Sequence, residues 1–260
     1  MKSLLRTLLP FFIVVLIWHG LALFVLWQRG VPFPTPWQTL ERLLELVRGA
    51  PLSGQSLGEH IFRSVYRWLL GSGLAAGLGI SYGLLAGWFR SVEIATARIP
   101  QTLLLVPGLA WVPVALLLFG VGEQATLCMI FLAAFSPVAV SVLAGVRALD
   151  PALIRAARML GAGRAMLFLQ VLIPAALPAL LCGLRLGLAT GWRVLVAAEM
   201  VVGTGTGLGY SLIQSRWNLD YASSFACIVV VCALGLGVDQ VLTYAERKTI
   251  AQWTLPRDTQ

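Results

Sequence analysis

The sequence predicts an all-α membrane protein of about six transmembrane helices, and three observations carry that prediction. Of its 260 residues, 58% are hydrophobic and only 12% are charged, with a mean hydropathy of +0.85. A soluble domain would carry roughly 25% charged residues. The apolar residues gather into runs long enough to cross a bilayer, which takes about 20 residues each. The basic residues, seventeen Arg plus Lys2 and Lys248, fall unevenly among the segments between those runs.

The first run, Leu8–Trp27, exceeds the roughly 7–15 residues of a signal-peptide core, and no small-x-small cleavage site follows it. It reads as a retained transmembrane helix. Further spans are expected at approximately 65–88, 101–120, 124–146, 175–200 and 221–244. Pro107 and Pro113 interrupt the third. The whole chain, 1–260, reads as a single domain.

Loop charge orients the spans. With the N-terminus inside, eleven basic residues face inward: Lys2, Arg6, Arg90, Arg98, Arg147, Arg155, Arg158, Arg164, Arg247, Lys248 and Arg257. Six face outward: Arg29, Arg42, Arg48, Arg63, Arg67 and Arg216. The expected topology is N-in/C-in. The net charge of +8 then records topology, and no soluble basic domain is left over to bind nucleic acid.

Between the first two spans, Thr35 reads as an N-cap with Pro36 at the first helical position and Gln38 closing a capping box. Trp37, Leu40, Leu44 and Val47 share one face of that helix, as in a helix lying along the outer membrane surface. Within the spans, Gly71, Ala75, Gly79, Gly83 and Gly87 recur every fourth residue, as do Ala179, Gly183, Gly187 and Gly191. Small residues at this spacing let helix backbones approach closely in lipid. The sequence leaves open whether these faces meet within one chain or between two.

The usual enzyme and cofactor patterns fail. Cys128, Cys182, Cys227 and Cys232 all sit in apolar runs without metal-ligand spacing, so free thiols are expected. "GTGTGLGY" from Gly203 lacks dinucleotide spacing and follows a helix instead of a strand, so it reads as a flexible outer loop. Neither lysine follows a glycine, which excludes a Walker loop. The polar residues at membrane depth are His19, Arg185, Arg193, Glu199 and Asp239. Arg193 and Glu199 are six residues apart and fall on different faces of one helix.

Between spans four and five lies a structured stretch, 150–174, longer than a plain connection needs. Asp150 followed by Pro151 is a helix start. Leu153, Ala156, Ala157 and Leu160 form one apolar stripe, with Arg155 and Arg158 off it. Gly161-Ala162-Gly163 ends the helix. A second short helix is expected from Arg164 to Ile173, with Pro174 and Pro178 starting span five and Pro174 as a firm joint to it. The pattern is a cytoplasmic helix-turn-helix.

Here the sequence resembles the membrane subunits of binding-protein-dependent ABC importers. Their cytoplasmic pattern runs Glu-Ala-Ala, three residues, Gly, nine residues, Ile-x-Leu-Pro. Ala156, Ala157 and Gly161 match, Val171-Leu172-Ile173-Pro174 matches conservatively, and Arg155 stands where the glutamate is usual. Other stretches resemble the nitrate, sulfonate, taurine and bicarbonate branch: "PFPTPWQTL", "IPQTLLLVPGLAWVPVALLLFGVGE", "GLRLGLATGWRVLVAAEMV", "GLGYSLI" and "YAERKTIAQW". The resemblance implies an inner-membrane permease paired with a second copy. It implies separate cytoplasmic ATPase subunits carrying ATP and magnesium, with no cofactor in this chain, and an extracytoplasmic binding protein that delivers solute. It places the coupling element on Asp150, Ala156, Ala157, Gly161 and Pro174, flanked by Arg155 and Arg158.

Charged groups at mid-membrane cost about 2.5–3.5 kcal/mol on insertion scales and face cavities or partners. Arg193, Glu199 and the proline-broken Pro107–Pro113 segment are therefore the candidates for a translocation path of an anionic solute. Structural pairing of Arg193 and Glu199 with other helices is the competing account. Two other functions stay open: a membrane enzyme built on Arg185, Arg193, Glu199 and Asp239, and a stand-alone secondary transporter.

Overall fold

The computed structural model describes residues 2–30 and 32–254. Among them every extended regular element is helical. The first helix, α1 (Lys2–Arg29), is apolar on nearly every side, as a lipid-facing span should be. Next, α2 (Pro36–Val47) has the expected capping box: Gln38 N–H donates to Thr35 Oγ1 and Thr35 N–H to Gln38 Oε1. Trp37, Leu40, Leu44 and Val47 are exposed on one face, while Thr39 and Leu46 are buried on another. Arg42 ties α2 to the start of the last helix through a 2.8 Å hydrogen bond to Ser223.

Span two is longer than the sequence indicated. It is α3 (Leu57–Trp88), capped by Ser56. Arg63 and Arg67, expected in an outer loop, lie inside it, because Ser56 and Glu59 cap and neutralise a helix start well before the apolar run begins. Span three is not one helix. It comprises α4 (Arg90–Thr96), α5 (Arg98–Leu105), a 3₁₀ turn at Gly108–Trp111 and α6 (Val112–Phe119), with a bend of 104° at the break. Pro107 has no N–H to give and biases Val106 to extended backbone, so the helix stops there.

The remaining spans are α7 (Glu123–Arg147), α10 (Ile173–Val202) and α12 (Tyr221–Thr254), with α8 (Pro151–Met159) and α9 (Arg164–Met166) between the first two and α11 (Leu208–Trp217) before the last. The structure answers the question left by the glycine stripes: both close onto α7 within one chain. A Cβ on Gly71 would stand 2.9 Å from Ile130, on Gly79 3.0 Å from Val138, and on Gly83 2.6 Å from Val142. On the other side, a Cβ on Gly183 would stand 2.6 Å from Ser141, and on Gly187 2.6 Å from Val138. The core is thus a three-helix slab with α7 in the middle.

The register fixes the path of the chain. Contacts between α3 and α7 climb together, Gly71 to Ile130 and then Gly83 to Val142, so these helices are parallel. Contacts between α7 and α10 run in opposite senses, so α10 is antiparallel. Two consecutive long helices can be parallel only if the chain between them returns across the slab. Residues 89–122 therefore cross it, over a distance set by α7, about 37 Å at 1.5 Å per residue. The bent segment is a broken crossing, not a hairpin dipping in and out of one face, and the five long helices plus this segment make six spans.

Candidate functional site

At the end of the slab where α7 finishes, α8 starts as expected. Asp150 accepts from Ala152 N–H at 2.7 Å, with Pro151 at the first position. Gly161 has φ +85, a conformation that L side chains rarely adopt, and this reverses the chain after Leu160. The expected second helix is not separate. A short α9 passes through wide π-helical turns at Leu167–Leu172 directly into α10. Pro174 stands in the first turn of α10, as expected, and the wide turns before it absorb the lost hydrogen bond and the ring clash that a proline brings. Helix runs without interruption from Arg164 to Val202.

The stripe Leu153, Ala156, Ala157 and Leu160 forms one wall of an open groove of about 570 Å³, and Gln170, Val171, Pro174 and Pro178 line the opposite wall. Its rim is apolar and exposed: Leu160 and Met159 are each 89% accessible. Arg155 and Arg158 are exposed and form no hydrogen bond or ion pair among the described residues.

The path candidates do not converge. Pro107 and Gly108 line a small cavity of about 160 Å³ at the broken span, with Trp111, Ser136 and Thr190. A Cβ on Gly108 would stand 2.5 Å from Val194, so the break lies tight against α10. Arg193 is exposed one turn from this cavity, its guanidinium turned back toward Ala189 O at 3.3 Å and Thr190 Oγ1 at 3.5 Å. Pro113 starts α6 and does not line the cavity.

Glu199, by contrast, lines no open path; it is fully buried. It accepts from Arg67 Nη1 at 2.9 Å, from Ser64 Oγ at 2.8 Å and from Gly209 N–H at 3.0 Å. Arg67, also buried, donates to Glu123 Oε1 at 3.0 Å and to Thr206 O at 2.7 Å. His60 Nδ1 accepts from Gly207 N–H and Ser64 Oγ accepts from Leu208 N–H. The loop expected to be flexible is therefore pinned through consecutive backbone groups. Charge pairing and hydrogen bonds are what let ionised groups be buried; of the Arg67 guanidinium only Nε has no partner among the described residues. This clasp sits at the end of the slab opposite α8 and joins α3, α7, α10 and the 203–209 loop.

Sequence reading missed His60, Ser64 and Arg67, although a signal existed. They continue the glycine stripe backward at helical spacing, 60, 64, 67, 71, so they share the face that packs on α7 and α10. The four residues of the enzyme alternative are dispersed. Arg185 pairs with Asp239 at 3.1 Å, Glu199 with Arg67, and Arg193 with neither. Among the described residues no group of His, Cys, Asp and Glu is placed to hold a metal, and the four cysteines are free.

Fold and sites together define a polytopic helical membrane protein with a broken crossing and an exposed apolar groove at one end. Its relatives sharpen this. Residues 75–251 match the family of binding-protein-dependent transport system inner membrane components, and the chain belongs to that family. It is 38% identical over 211 residues to the taurine transport system permease protein of Escherichia coli, covering 81% of this chain and 74% of that one. It is 31% identical over 234 residues to the nitrate import permease protein of Synechocystis, covering 86% and 84%. A solved amino acid ABC transporter has the same fold, with a TM-score of 0.62 at 20% identity over 79% of this chain and 98% of that one. The protein is an inner-membrane ABC transporter permease.

Proposed function

We propose that this chain is the membrane subunit of an importer that moves a small anionic solute of the taurine, sulfonate, nitrate or bicarbonate class by alternating access. It works as a pair of copies, with ATPase subunits on the α8 face and a binding protein on the clasp face. The start of α1 and the end of α12 lie on the ATPase side. The observation that carries this reading is the apolar groove between α8 and the start of α10. It is exposed, its small Ala156 and Ala157 permit close approach, and one wall is the first part of a spanning helix. Relatives named for taurine, aliphatic sulfonates, nitrate and bicarbonate support the solute class.

In this reading Arg193 presents positive charge beside the break, where backbone groups freed from the helix are available to a solute. The ATPase partners supply ATP hydrolysis with magnesium, and this chain supplies the path and the mechanical contact.

The test is reconstitution in liposomes with candidate ATPase and binding-protein subunits from the same organism, followed by uptake of labelled taurine, nitrate and bicarbonate. ATP-dependent uptake of one of them that needs all three components is expected. Uptake by this chain alone would make it a secondary transporter and overturn the proposal.

A further inference from the structure

On the α8 side of the slab, α4 and α5 stand off from the end of α7 and leave a cleft of about 530 Å³. Its size falls in the roughly 300–1,000 Å³ range of small-molecule sites. Three guanidiniums, from Arg90, Arg98 and Arg147, line it with a single carboxylate, Glu93. Glu93 is 6% exposed and is held by both Arg90 and Arg147, so its charge is already shared. Arg98 has no hydrogen-bond or ion-pair partner among the described residues, and Gln101 follows it by one turn on the same face. The cleft thus keeps uncompensated positive charge. Its remaining walls are apolar: Val140, Leu143 and Ala144 of α7 opposite Ile94 and Ala97. Beyond the rim the surface stays apolar, with Ile94 71%, Ile99 57% and Phe89 49% exposed.

A basic head above an apolar wall, at the level where spanning helices end, matches an amphiphile with an anionic phosphate. It does not match a bare oxyanion, which would leave the apolar wall and most of the volume unfilled. Basic pockets between spanning helices bind anionic headgroups in this way, and the long arginine stems can lie along apolar surface while their charged ends reach the phosphate.

We propose that this cleft is a binding site for an anionic phospholipid, with Arg98 as the principal phosphate ligand, Arg90 and Arg147 beside it, and one acyl chain along Val140 and Ala144. Arg147 lies just before Asp150, so the bound lipid would sit at the root of α8.

The test uses the full-length protein in phosphatidylcholine bilayer discs with increasing phosphatidylglycerol, read by thermal unfolding and by native mass spectrometry of retained lipid. Phosphatidylglycerol is expected to raise the unfolding temperature and to be retained. Arg98→Gln is expected to weaken its apparent affinity about fivefold, the effect of one surface cation, and Arg98→Lys to restore most of it. Ala144→Trp, at an exposed wall position, is expected to weaken it with all charges intact. Equal phosphatidylglycerol affinity in Arg98→Gln and the parent would overturn the site. The same stabilisation by inorganic phosphate in phosphatidylcholine discs would give the cleft to a free oxyanion and overturn the lipid assignment.

Discussion

Removing the Arg67 guanidinium should cost more than any other single change at the clasp end of the slab. Arg67→Met keeps a long apolar stem but strands Glu199, which is fully buried and left with Ser64 and Gly209 as its donors. It also removes the 2.7 Å hydrogen bond to Thr206 O. Breaking a buried pair from one side costs about 3–5 kcal/mol, a large share of the roughly 5–15 kcal/mol that holds a domain folded. The double variant Arg67→Met/Glu199→Gln removes both charges and keeps an acceptor for Ser64 and Gly209. It should recover about 0.5–3 kcal/mol of the loss, the range of coupling between contacting residues. Denaturant titration of the solubilised protein measures the stability of the parent, both singles and the double. Hydrogen exchange at Gly207, Leu208 and Gly209 reports whether the loop has come loose. If the double variant loses the sum of the two single losses, the ion pair is not what holds the clasp.

Three further outcomes follow from the geometry. Gly187→Leu should cost about 1–3 kcal/mol by overpacking, because a Cβ there already stands 2.6 Å from Val138, whereas Gly73→Leu, with nothing within 4 Å, should be silent in the same melt. Gly161→Val should leave the protein inserted but lower ATP-coupled uptake. No neighbour lies within 4 Å of a Cβ at Gly161, so the strain at φ +85 acts on the chain reversal alone; normal uptake and normal stimulated ATPase would refute this. Arg193→Ala should raise KM for an anionic solute with ATPase stimulation retained, and unchanged uptake kinetics would remove Arg193 from the path.

The spans were legible because lipid imposes a simple rule, long apolar runs, and α8 was legible because its cap and stripe are local. What escaped were features set by distant partners. Span two begins at Leu57 although its first turns are polar: His60, Ser64 and Arg67 are tolerable there only because Glu199 and the amides of 207–209 arrive from 130 or more positions away. No window on α3 alone carries that information. The 203–209 loop looked mobile for the converse reason: its glycines advertise freedom, while the groups that remove it lie on other helices. The turns before Pro174 escaped in a third way: Pro174 does stand at the start of α10, but nothing in the sequence marks that residues 167–172 widen their turns and carry helix into it.

That last feature bears most on mechanism. Because helix continues from Arg164 to Val202, one helical run about 58 Å long at 1.5 Å per residue reaches the α8 groove, the broken span and the clasp. Its start forms a wall of the groove at Gln170, Val171 and Pro174. Its middle holds Thr190 and Val194 against the broken span. Its end sets Glu199 in the clasp. On the proposed function, force delivered at the groove passes along this helix to the segment facing Gly108, with the clasp as the fixed end. Coupling then depends on both ends of the helix. Arg67→Met should therefore lower the uptake obtained per ATP hydrolysed even though Arg67 lies at the face opposite the ATPase. If uptake per ATP is unchanged in an Arg67→Met protein whose 203–209 amides have lost their protection, the clasp is not the anchor and the helix pivots elsewhere.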